Sequence, residues 1–300
     1  MSVVVPVRNE ARNLEIVLPA LAAVRPAVHE IIVVDGHSAD GSLDVARRVL
    51  PSVRTVTQTR RGKGNALACG FAEVTGDVVV MFDADGSADP AEIPAFVDAL
   101  VAGADLAKGS RFTAGGGSDD ITALRRAGNL GLNVVANALF GTSFTDLCYG
   151  YNAFWADLLP VLDLPATDAP APPTGVPWGD GFEIETVLNC RFAAAGLAIT
   201  EVPSVERRRI FGDTNLRTFA DGARVLRTLL AERRRSSRTL APVLPLPVPA
   251  VPPAPAVPPA SAVPSAVPLA RQPEPRPAPD EPVPQPSTDP CPGGTARARA

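Results

Sequence analysis

The chain has 300 residues, 46% of them hydrophobic, and a formal net charge of −4 at pH 7. Its length and apolar content suffice for one large or two small globular domains, and its acidic balance gives no reason to expect nucleic acid as a partner. The four cysteines are widely separated and form no Cys-x-x-Cys pair, which argues against a zinc site or a disulfide framework and favours a reducing compartment.

Neither end of the chain has a membrane-spanning pattern. The apolar run at residues 3–5 is too short for a signal peptide, and the charge-free stretch at 243–270 contains too many prolines to form a spanning helix. We therefore expect a cytoplasmic protein that is soluble or bound peripherally at the cytoplasmic face of a membrane.

Strand and helix patterns alternate through the first hundred residues. Short β-branched runs predict strands, and apolar residues at helical spacing predict the helices between them. This alternation with short links predicts an α/β fold in which a mostly parallel, Rossmann-like sheet carries helices on both faces. The predicted strands are 2–7, 30–34, 53–57, 77–82 and 105–108, and the predicted helices are 11–24, 42–50, 65–74 and 91–102.

The pattern changes after Gly109. A glycine-rich loop precedes a long apolar helix at Leu124–Phe140, and a Pro/Ala-rich insert at 165–178 predicts a mobile loop. A helix at 182–195, a strand at 198–205 and an amphipathic helix at 219–235 follow. Residues 239–300 hold most of the 33 prolines and predict a disordered, polyproline-II-rich tail, which leaves residues 1–238 as the folded domain.

One predicted strand ends abruptly in two carboxylates, Asp83 and Asp85. Residues two apart in an extended chain point to the same side, so both carboxylates can reach one spot at the carboxyl end of the strand, where open α/β sheets bind ligands. Two such oxygen donors suit Mg²⁺ or Mn²⁺ with a substrate phosphate completing the coordination. An isolated D-x-D motif more often caps the next helix, so the assignment depends on the other loops.

Three further loops leave the carboxyl ends of the same predicted sheet, at Arg8–Leu14, Asp35–Ser42 and Arg60–Ala66. In a parallel sheet they converge on the edge that carries the two aspartates. Acidic side chains in the first two loops can hydrogen-bond a base or a ribose, and basic side chains in the third can face phosphate.

Taken in order, these motifs resemble the family 2 inverting glycosyltransferases of GT-A fold, and within them the dolichyl- and polyprenyl-phosphate sugar synthases. The likeness covers residues 2 to about 217. The segments that carry it are Pro6–Leu14, Asp35–Gly41, Gly62–Gly64, Asp83–Ser87, Gly109–Phe112, Asp146–Tyr151, Gly181–Glu185 and Glu201–Pro203.

The resemblance implies a nucleotide-sugar-binding half at about 1–110 and an acceptor-binding half at 111–238. In the first half, Pro6, Glu10 and Asp35 would line the nucleoside pocket, while Asp83 and Asp85 would hold the metal and the diphosphate. The full implied donor-binding set is Pro6, Arg8, Glu10, Asp35, Lys63, Asp83, Ala84 and Asp85.

Plainer roles remain open for some of these residues. Glu10 can simply cap its helix and Asp35 can simply brace a turn. Ser87 stands where many relatives carry a third and weaker metal contact, often Gln, so we include it in the metal set with that substitution noted.

The second half would bind the acceptor. The resemblance assigns an acceptor phosphate to Arg111 and to the arginines at 207–209, although a solvated basic face explains that run equally well. In relatives the late segment usually reads Arg-x-x-Gly-x-Ser-Lys, and here Asn215 replaces the lysine. Asp146 is the position implied for acceptor contact or general-base work, which a hydroxyl acceptor requires and a phosphate acceptor does not.

Two groups of residues stay as secondary choices. Glu183 and Glu185 would share one face if extended and point to separate sides if helical, and a salt-bridge role is the simpler interpretation. Phe154, Trp155 and the apolar stripe at 130–140 are expected in the core. A lipid-facing use of that stripe is the alternative, with Arg224, Arg227 and Arg233–Arg235 to meet anionic headgroups.

Together these features predict a metal-dependent inverting glycosyltransferase. The donor would be a nucleoside diphosphate sugar of the GDP-mannose or UDP-glucose type and the acceptor a polyprenyl phosphate. The alternatives are a soluble hydroxyl acceptor and a non-catalytic nucleotide-sugar-binding scaffold. A nucleotidyltransferase or a dinucleotide-binding oxidoreductase would need a glycine-rich loop after the first strand, where the chain instead reads Pro6–Glu10.

Overall fold

The computed structural model describes residues 1–212 and 218–239. The position of Asn215 and the proline-rich segment from residue 240 onward lie outside these residues.

Most of the described strands form one seven-stranded sheet with the order β3-β2-β1-β4-β7-β5-β8, while β6 and β9 pair separately. The strands are β1 (Ser2–Val7), β2 (Glu30–Asp35), β3 (Arg54–Thr57), β4 (Val78–Met81), β5 (Leu106–Ser110), β6 (Gly117–Ser118), β7 (Asn152–Trp155), β8 (Ile199–Pro203) and β9 (Val205–Glu206). The helices are α1 (Ala11–Ala22), α2 (Ser42–Val49), α3 (Lys63–Phe71), α4 (Ile93–Val101), α5 (Ala123–Phe140), α6 (Ile184–Ala194) and α7 (Thr218–Thr239).

The central strands are apolar on both sides because both faces of the sheet are covered. Val3 and Val5 of β1 pack under α1 and α4, whereas Val4 packs on the opposite face under α3 and α6. Strands β2 and β4 flank β1 in parallel, so the three carboxyl ends open at one edge. The predicted α/β layering is confirmed.

Strand β7 is the main element that the sequence pattern does not predict. It lies between β4 and β5 and runs antiparallel to both. Phe154 on this strand is fully buried, and Trp155 packs against the core and donates its indole N–H to the carbonyl of Ala104, as their core assignment requires. Because β7 and β8 come from the second half of the domain, the two halves share one sheet.

Helix α5 corrects part of the prediction that its apolar stripe is core. Thr122 caps its start and Gly141, with a φ of 68°, ends it, so its bounds match the predicted ones closely. Its buried residues include Asn129 and Asn133, however, while the side chains of Leu130 and Val134 are 65% and 63% exposed. The core assignment therefore fails for Leu130 and Val134. It holds for the rest of the stripe, which packs in a cluster with Leu229 of α7 and comprises Leu132, Val135, Ala136, Leu139 and Phe140.

The insert at 165–178, predicted to be mobile, is tied down at its first turn. Arg60 donates to the carbonyls of Ala166, Thr167 and Ala169. The same guanidinium pairs with Asp180 at 2.6 Å, and both side chains are almost completely buried. Arg60 therefore anchors the insert and does not face a phosphate.

Replacing Arg60 should destabilise the whole domain. Arg60→Met removes one partner of a buried ion pair and leaves the Asp180 carboxylate uncompensated, which costs about 3–5 kcal/mol of unfolding free energy. Urea denaturation followed by circular dichroism measures the loss. Arg61→Met, at the exposed neighbouring position, is the matched control and should leave the midpoint unchanged. Equal midpoints for the two variants would contradict the role given to Arg60.

Candidate active site

The first two predicted loops are joined at the carboxyl edge of the sheet. The backbone N–H of Asn9 donates to the Ser38 hydroxyl at 2.9 Å, and that of Glu10 donates to the Ser42 hydroxyl at 3.0 Å. Ala11 N–H donates to the carboxylate of Asp40 at 3.0 Å. These bonds bring the acidic side chains of both loops to one place, as a parallel sheet requires.

The residues implied for the nucleoside pocket occupy this place. Asp35 is buried, and its carboxylate accepts a hydrogen bond from the Ser38 N–H at 3.1 Å, so it does brace the turn. Pro6 lies on β1 opposite Val34 and is partly exposed. Arg8 is exposed beside Gly36, where an added Cβ would lie 3.3 Å from the Arg8 Cβ. Contact with a nucleoside stays a prediction for Asp35 and Pro6, as does contact with the donor for Arg8.

Asp83 faces a lysine from the third loop. The Lys63 ammonium lies 2.7 Å from Asp83 Oδ1 and 2.7 Å from Glu185 Oε1, so it bridges two carboxylates. Burial lowers the pKa of Lys63, but the two neighbouring carboxylates outweigh it and hold the pKa above its ordinary value. Lys63 therefore remains a cation throughout the working pH range.

Asp85 has a different set of partners. Its Oδ1 accepts from the backbone N–H of Ser87 at 3.0 Å and from the Ser87 hydroxyl at 2.7 Å, while its Oδ2 lies 3.2 Å from Arg209. Ala84 is buried between the two aspartates. Ser87 thus orients an Asp85 carboxylate oxygen, and direct contact of its hydroxyl with a metal stays a prediction.

Arg209 connects the loop of Asp83 and Asp85 to Glu10, one of the residues implied for the nucleoside pocket. Its guanidinium donates to Glu10 Oε1 at 2.8 Å while also pairing with Asp85. The Glu10 side chain makes no capping hydrogen bond to its helix, so Glu10 does not simply cap α1. Burial lowers the pKa of Arg209, but its bond to Glu10 and the charges of Asp85 and Glu10 raise it overall.

The segment around Arg209 crosses the metal loop and reaches α1. Ile210 N–H donates to the Asp85 carbonyl at 3.1 Å, and the Phe211 N–H donates to Asn13 Oδ1 at 3.1 Å. Gly86 has a φ of 75°, and a Cβ there would lie 2.4 Å from the Ile210 side chain, so glycine is required beneath this crossing. Arg209, one of the arginines implied for the acceptor, therefore lies among the residues implied for the donor.

This cluster can accommodate a divalent cation. Glu10, Asp83, Asp85 and Glu185 contribute four carboxylates against two cations, Lys63 and Arg209, so a doubly charged ion would balance the set. In the part of the chain that the structure describes, no group of three or more His, Cys, Asp or Glu side chains is arranged to hold a metal alone. A metal at the two aspartates would complete its coordination with substrate phosphate oxygens, the arrangement Mg²⁺ prefers.

Arg111 and Asp146 form a second, buried cluster. The Arg111 guanidinium donates to both Asp146 oxygens, at 2.6 and 2.9 Å, and to Glu206 at 2.9 Å. Asp146 is fully buried and also accepts from Asn129 Nδ2 at 3.1 Å. Burial lowers the pKa of Arg111, but the hydrogen bonds and charges of these carboxylates raise it well above its ordinary value.

A short loop links the two clusters. It runs from Asp146 to Gly150, where an added Cβ would lie 3.2 Å from Glu185 Oε1, 3.4 Å from Lys63 Nζ and 3.6 Å from Asp83 Oδ2. Lys108 is completely buried and donates from Nζ to the Tyr149 carbonyl at 3.1 Å. One end of this loop thus belongs to the Arg111 cluster, and the other end, Gly150, lies next to Lys63 and its two carboxylates. Lys108 supports the loop between these ends.

Glu185 and Arg209 make contacts in this site that the sequence analysis did not predict. Glu185 shares Lys63 with Asp83, while Glu183 accepts from the Gly179 and Gly181 N–H groups and only shapes its own loop. The helical spacing of the two glutamates predicted this separation, although not the partner of Glu185. The contacts of Arg209 with Glu10 and Asp85 carried no sequence signal, because these partners lie far away along the chain.

The comparisons with known proteins agree with this geometry. The family model described as Glycosyl transferase family 2 matches residues 2–159. The chain is 32% identical over 220 residues to an undecaprenyl-phosphate mannosyltransferase from Micrococcus luteus, covering 71% of this chain and 86% of that protein. It is also 32% identical over 218 residues to a polyprenol monophosphomannose synthase from Mycolicibacterium smegmatis, covering 70% and 78%.

A similar solved structure is glucosyl-3-phosphoglycerate synthase from Mycobacterium tuberculosis in complex with Mn²⁺, UDP-glucose and phosphoglyceric acid. It is 25% identical, with a TM-score of 0.58, and the likeness covers 78% of this chain and 79% of that one.

Removing Arg209 should strengthen metal binding in the absence of donor. Arg209 competes with any cation for Asp85, and a partly exposed pair of this kind contributes up to about 1 kcal/mol, so Arg209→Gln should bind Mn²⁺ about fivefold more tightly. Electron paramagnetic resonance titration of free Mn²⁺ measures the affinity.

Arg207→Gln is the control, because Arg207 is exposed and pairs with Asp89. An Arg209→Gln affinity equal to that of wild type would show that Arg209 does not compete at this site.

Proposed function

The chain belongs to glycosyl transferase family 2, and from that premise we propose that it moves one sugar, with inversion, from a nucleoside diphosphate sugar to a polyprenyl phosphate. The family resemblance of the motifs and the GT-A-type α/β fold are confirmed, and the chain is a glycosyltransferase. The donor, the metal requirement and the acceptor are the proposed parts.

On the donor side, Pro6, Arg8, Glu10 and Asp35 would surround the nucleoside. Lys63 is a permanent cation next to Asp83 and suits the diphosphate. Mg²⁺ or Mn²⁺ held by Asp83 and Asp85 would neutralise the departing nucleoside diphosphate. The Mn²⁺ and UDP-glucose bound in the tuberculosis enzyme support this arrangement.

The state of Asp146 is the observation that favours a phosphate acceptor. Its carboxylate is fully buried and accepts from Arg111 and Asn129, so it is poorly placed to take a proton from a hydroxyl group. A phosphate monoester, whose second pKa is about 6, is already an anionic nucleophile at neutral pH and needs no base. The names of the two mannosyl-transferring relatives point to the same acceptor class.

Arg111 is the residue that we assign to the acceptor phosphate. Three of its N–H donors bind Asp146 and Glu206, and a guanidinium has five, so two remain for a ligand. Asp146 then acts as a positioning residue that fixes the guanidinium. The acceptor oxygen would attack the anomeric carbon from the face opposite the diphosphate, with binding supplying the orientation.

A soluble acceptor is the second candidate. The tuberculosis enzyme binds phosphoglyceric acid, which carries a phosphate and a hydroxyl group, and Arg111 suits a phosphate in either acceptor. A non-catalytic scaffold differs from both enzymes because it would bind the donor without releasing nucleoside diphosphate.

The central test follows nucleoside diphosphate release from a panel of GDP- and UDP-sugars with Mn²⁺. We expect release that depends on polyprenyl phosphate and exceeds that with phosphoglycerate. Asp85→Ala should abolish turnover while leaving the circular dichroism spectrum unchanged, because the metal-binding carboxylate is lost. Full activity of this variant, or of wild type after metal removal by EDTA, would refute the metal assignment.

Replacing Asp146 separates positioning from proton transfer. Asp146→Asn keeps the shape but weakens the hold on Arg111, so we expect the KM for polyprenyl phosphate to rise about tenfold, the size of one lost charge-assisted hydrogen bond. In wild type and in Asp146→Asn alike, kcat/KM should fall as the pH drops through about 6, because the acceptor phosphate gains a proton there. A loss of about a hundredfold or more in kcat, with the acidic limb gone, would instead identify Asp146 as a general base.

A further inference from the structure

A lysine lies inside the sheet at a position where an apolar residue would be expected. Lys108 on β5 is completely buried, and its neighbours in the sheet are Asn152 of β7 and Glu201 of β8. Within the described residues it forms no ion pair, and its ammonium donates only to the carbonyls of Tyr149 at 3.1 Å and Gly109 at 3.4 Å. Lysine is almost never fully buried without a charged partner, so this position is unusual.

Burial of this ammonium is unfavourable for the fold. It lowers the pKa of Lys108, and the carboxylates of Asp146 and Glu201 offset this effect only in part. A methionine side chain of similar length would fill the same space without carrying a charge into the interior. What lysine adds at this position is an N–H donor fixed beneath the carbonyl of Tyr149.

The contact with this carbonyl determines which way the next backbone N–H points. In a trans peptide the C=O and N–H groups point in opposite directions. The Tyr149 carbonyl points inward to Lys108, so the N–H of Gly150, which belongs to the same trans peptide unit, points away from the buried ammonium. Asn152 Nδ2 donates to the Gly150 carbonyl at 3.3 Å, so the following peptide is held as well.

The Gly150 N–H is free to bind a ligand. Among the described residues it has no hydrogen-bond partner, and Gly150 is partly exposed. A Cβ on this residue would lie 3.4 Å from Lys63 Nζ and 3.6 Å from Asp83 Oδ2, so glycine keeps the space beside these two groups open. Backbone N–H groups are strong donors that are rarely left without a partner, and an unpaired one beside the candidate site can be satisfied by a substrate.

We propose that the Gly150 N–H, aimed by Lys108, donates a hydrogen bond to a phosphate oxygen of a substrate during sugar transfer. A backbone N–H next to the Lys63 ammonium suits an anionic oxygen, because hydrogen bonds to charged groups are the strong ones. The loop 146–150 runs from the Arg111 cluster to Lys63, so the phosphate belongs either to the sugar donor or to the acceptor. Its identity rests on the proposed function. Lys108, buried beneath the loop, is a positioning residue.

Nuclear magnetic resonance of the full-length protein tests the hydrogen bond directly. The chain has two tyrosines, and only Tyr149 precedes a glycine, so ¹³C-carbonyl tyrosine combined with ¹⁵N-glycine labels the Tyr149–Gly150 peptide alone. We expect the Gly150 amide proton to move downfield on addition of a phosphate ligand, because hydrogen bonding deshields it. GDP or UDP with Mg²⁺ represents the sugar donor, and farnesyl phosphate, added alone or after the nucleotide, represents the acceptor.

The remaining glycine signals provide the control. Gly103 and Gly196 lie in the turns that precede β5 and β8, at the edge of the sheet opposite the candidate site, and their amide signals should stay in place. The ligand that moves Gly150 identifies the phosphate as that of the donor or of the acceptor. If the Gly150 signal stays in place with all of these ligands, the proposal is overturned.

Lys108→Met separates positioning from a structural role. Removing a buried charge offsets the loss of a partner for the Tyr149 carbonyl, so the urea midpoint should stay near that of wild type. The KM for the substrate whose phosphate moves Gly150 should nevertheless rise about tenfold, the size of one lost hydrogen bond to a charged group. Nucleoside diphosphate release measures this change. Lys108→Gln, which retains an N–H donor, should recover part of the loss.

Two results would remove Lys108 from this role. One is a Gly150 signal that moves equally in Lys108→Met and in wild type. The other is a loss of activity in Lys108→Met that only follows a loss of folded protein, which would make Lys108 a structural residue. The titration of wild type decides the Gly150 hydrogen bond even where the variant fails to fold.

The hydrogen bond and the proposed function can fail separately. If wild type releases nucleoside diphosphate in the presence of polyprenyl phosphate while the Gly150 signal never moves, the proposed function stands and the role of Gly150 fails. If wild type releases none with any acceptor, yet Gly150 moves with nucleotide and Mg²⁺, the proposed function fails and the phosphate contact stands.

Discussion

Mutual repulsion among carboxylates gathered at one edge of the sheet is the constraint on which this site depends. Parallel strands bring the loops of Glu10, Asp83 and Asp85 together, and α6 adds Glu185. Lys63 and Arg209 hold these groups in place as ion pairs. The four carboxylates exceed these two cations by two charges, which suits the divalent cation that we propose for this edge.

The position of Lys63 in turn depends on the second half of the chain. A Cβ on Gly64 would lie 1.9 Å from the Gly179 carbonyl oxygen, so the third loop fits against this segment only as glycine. The buried pair of Arg60 with Asp180 fixes the same contact. The insert and the start of α6 thereby fix the positions of Lys63 and of its partner Glu185, so the insert is part of the framework of the candidate site.

Helix α5 is held in the domain by two kinds of contact. Its asparagines hydrogen-bond the loop that carries Asp146, so that loop is held by direction-specific contacts, while Ala136 packs in an apolar cluster with Leu229 of α7. Backbone groups of 144–147 that would otherwise be buried without partners are satisfied in this way. Leu130 and Val134 are the apolar residues of this stripe that face outward.

The sequence by itself determined the alternation that produces the parallel sheet, the placement of Asp83 and Asp85 at its carboxyl edge, and the bounds of α5, because these follow from local periodicity and turn chemistry. Only the tertiary structure decided which cation each carboxylate meets and which side of α5 is buried. Arg209 and Glu10 are 199 residues apart, and the four-residue strand β7 is recognisable only between its neighbours. Residue spacing encodes period and burial, whereas long-range pairing is set by how the elements pack, which no local window of sequence contains.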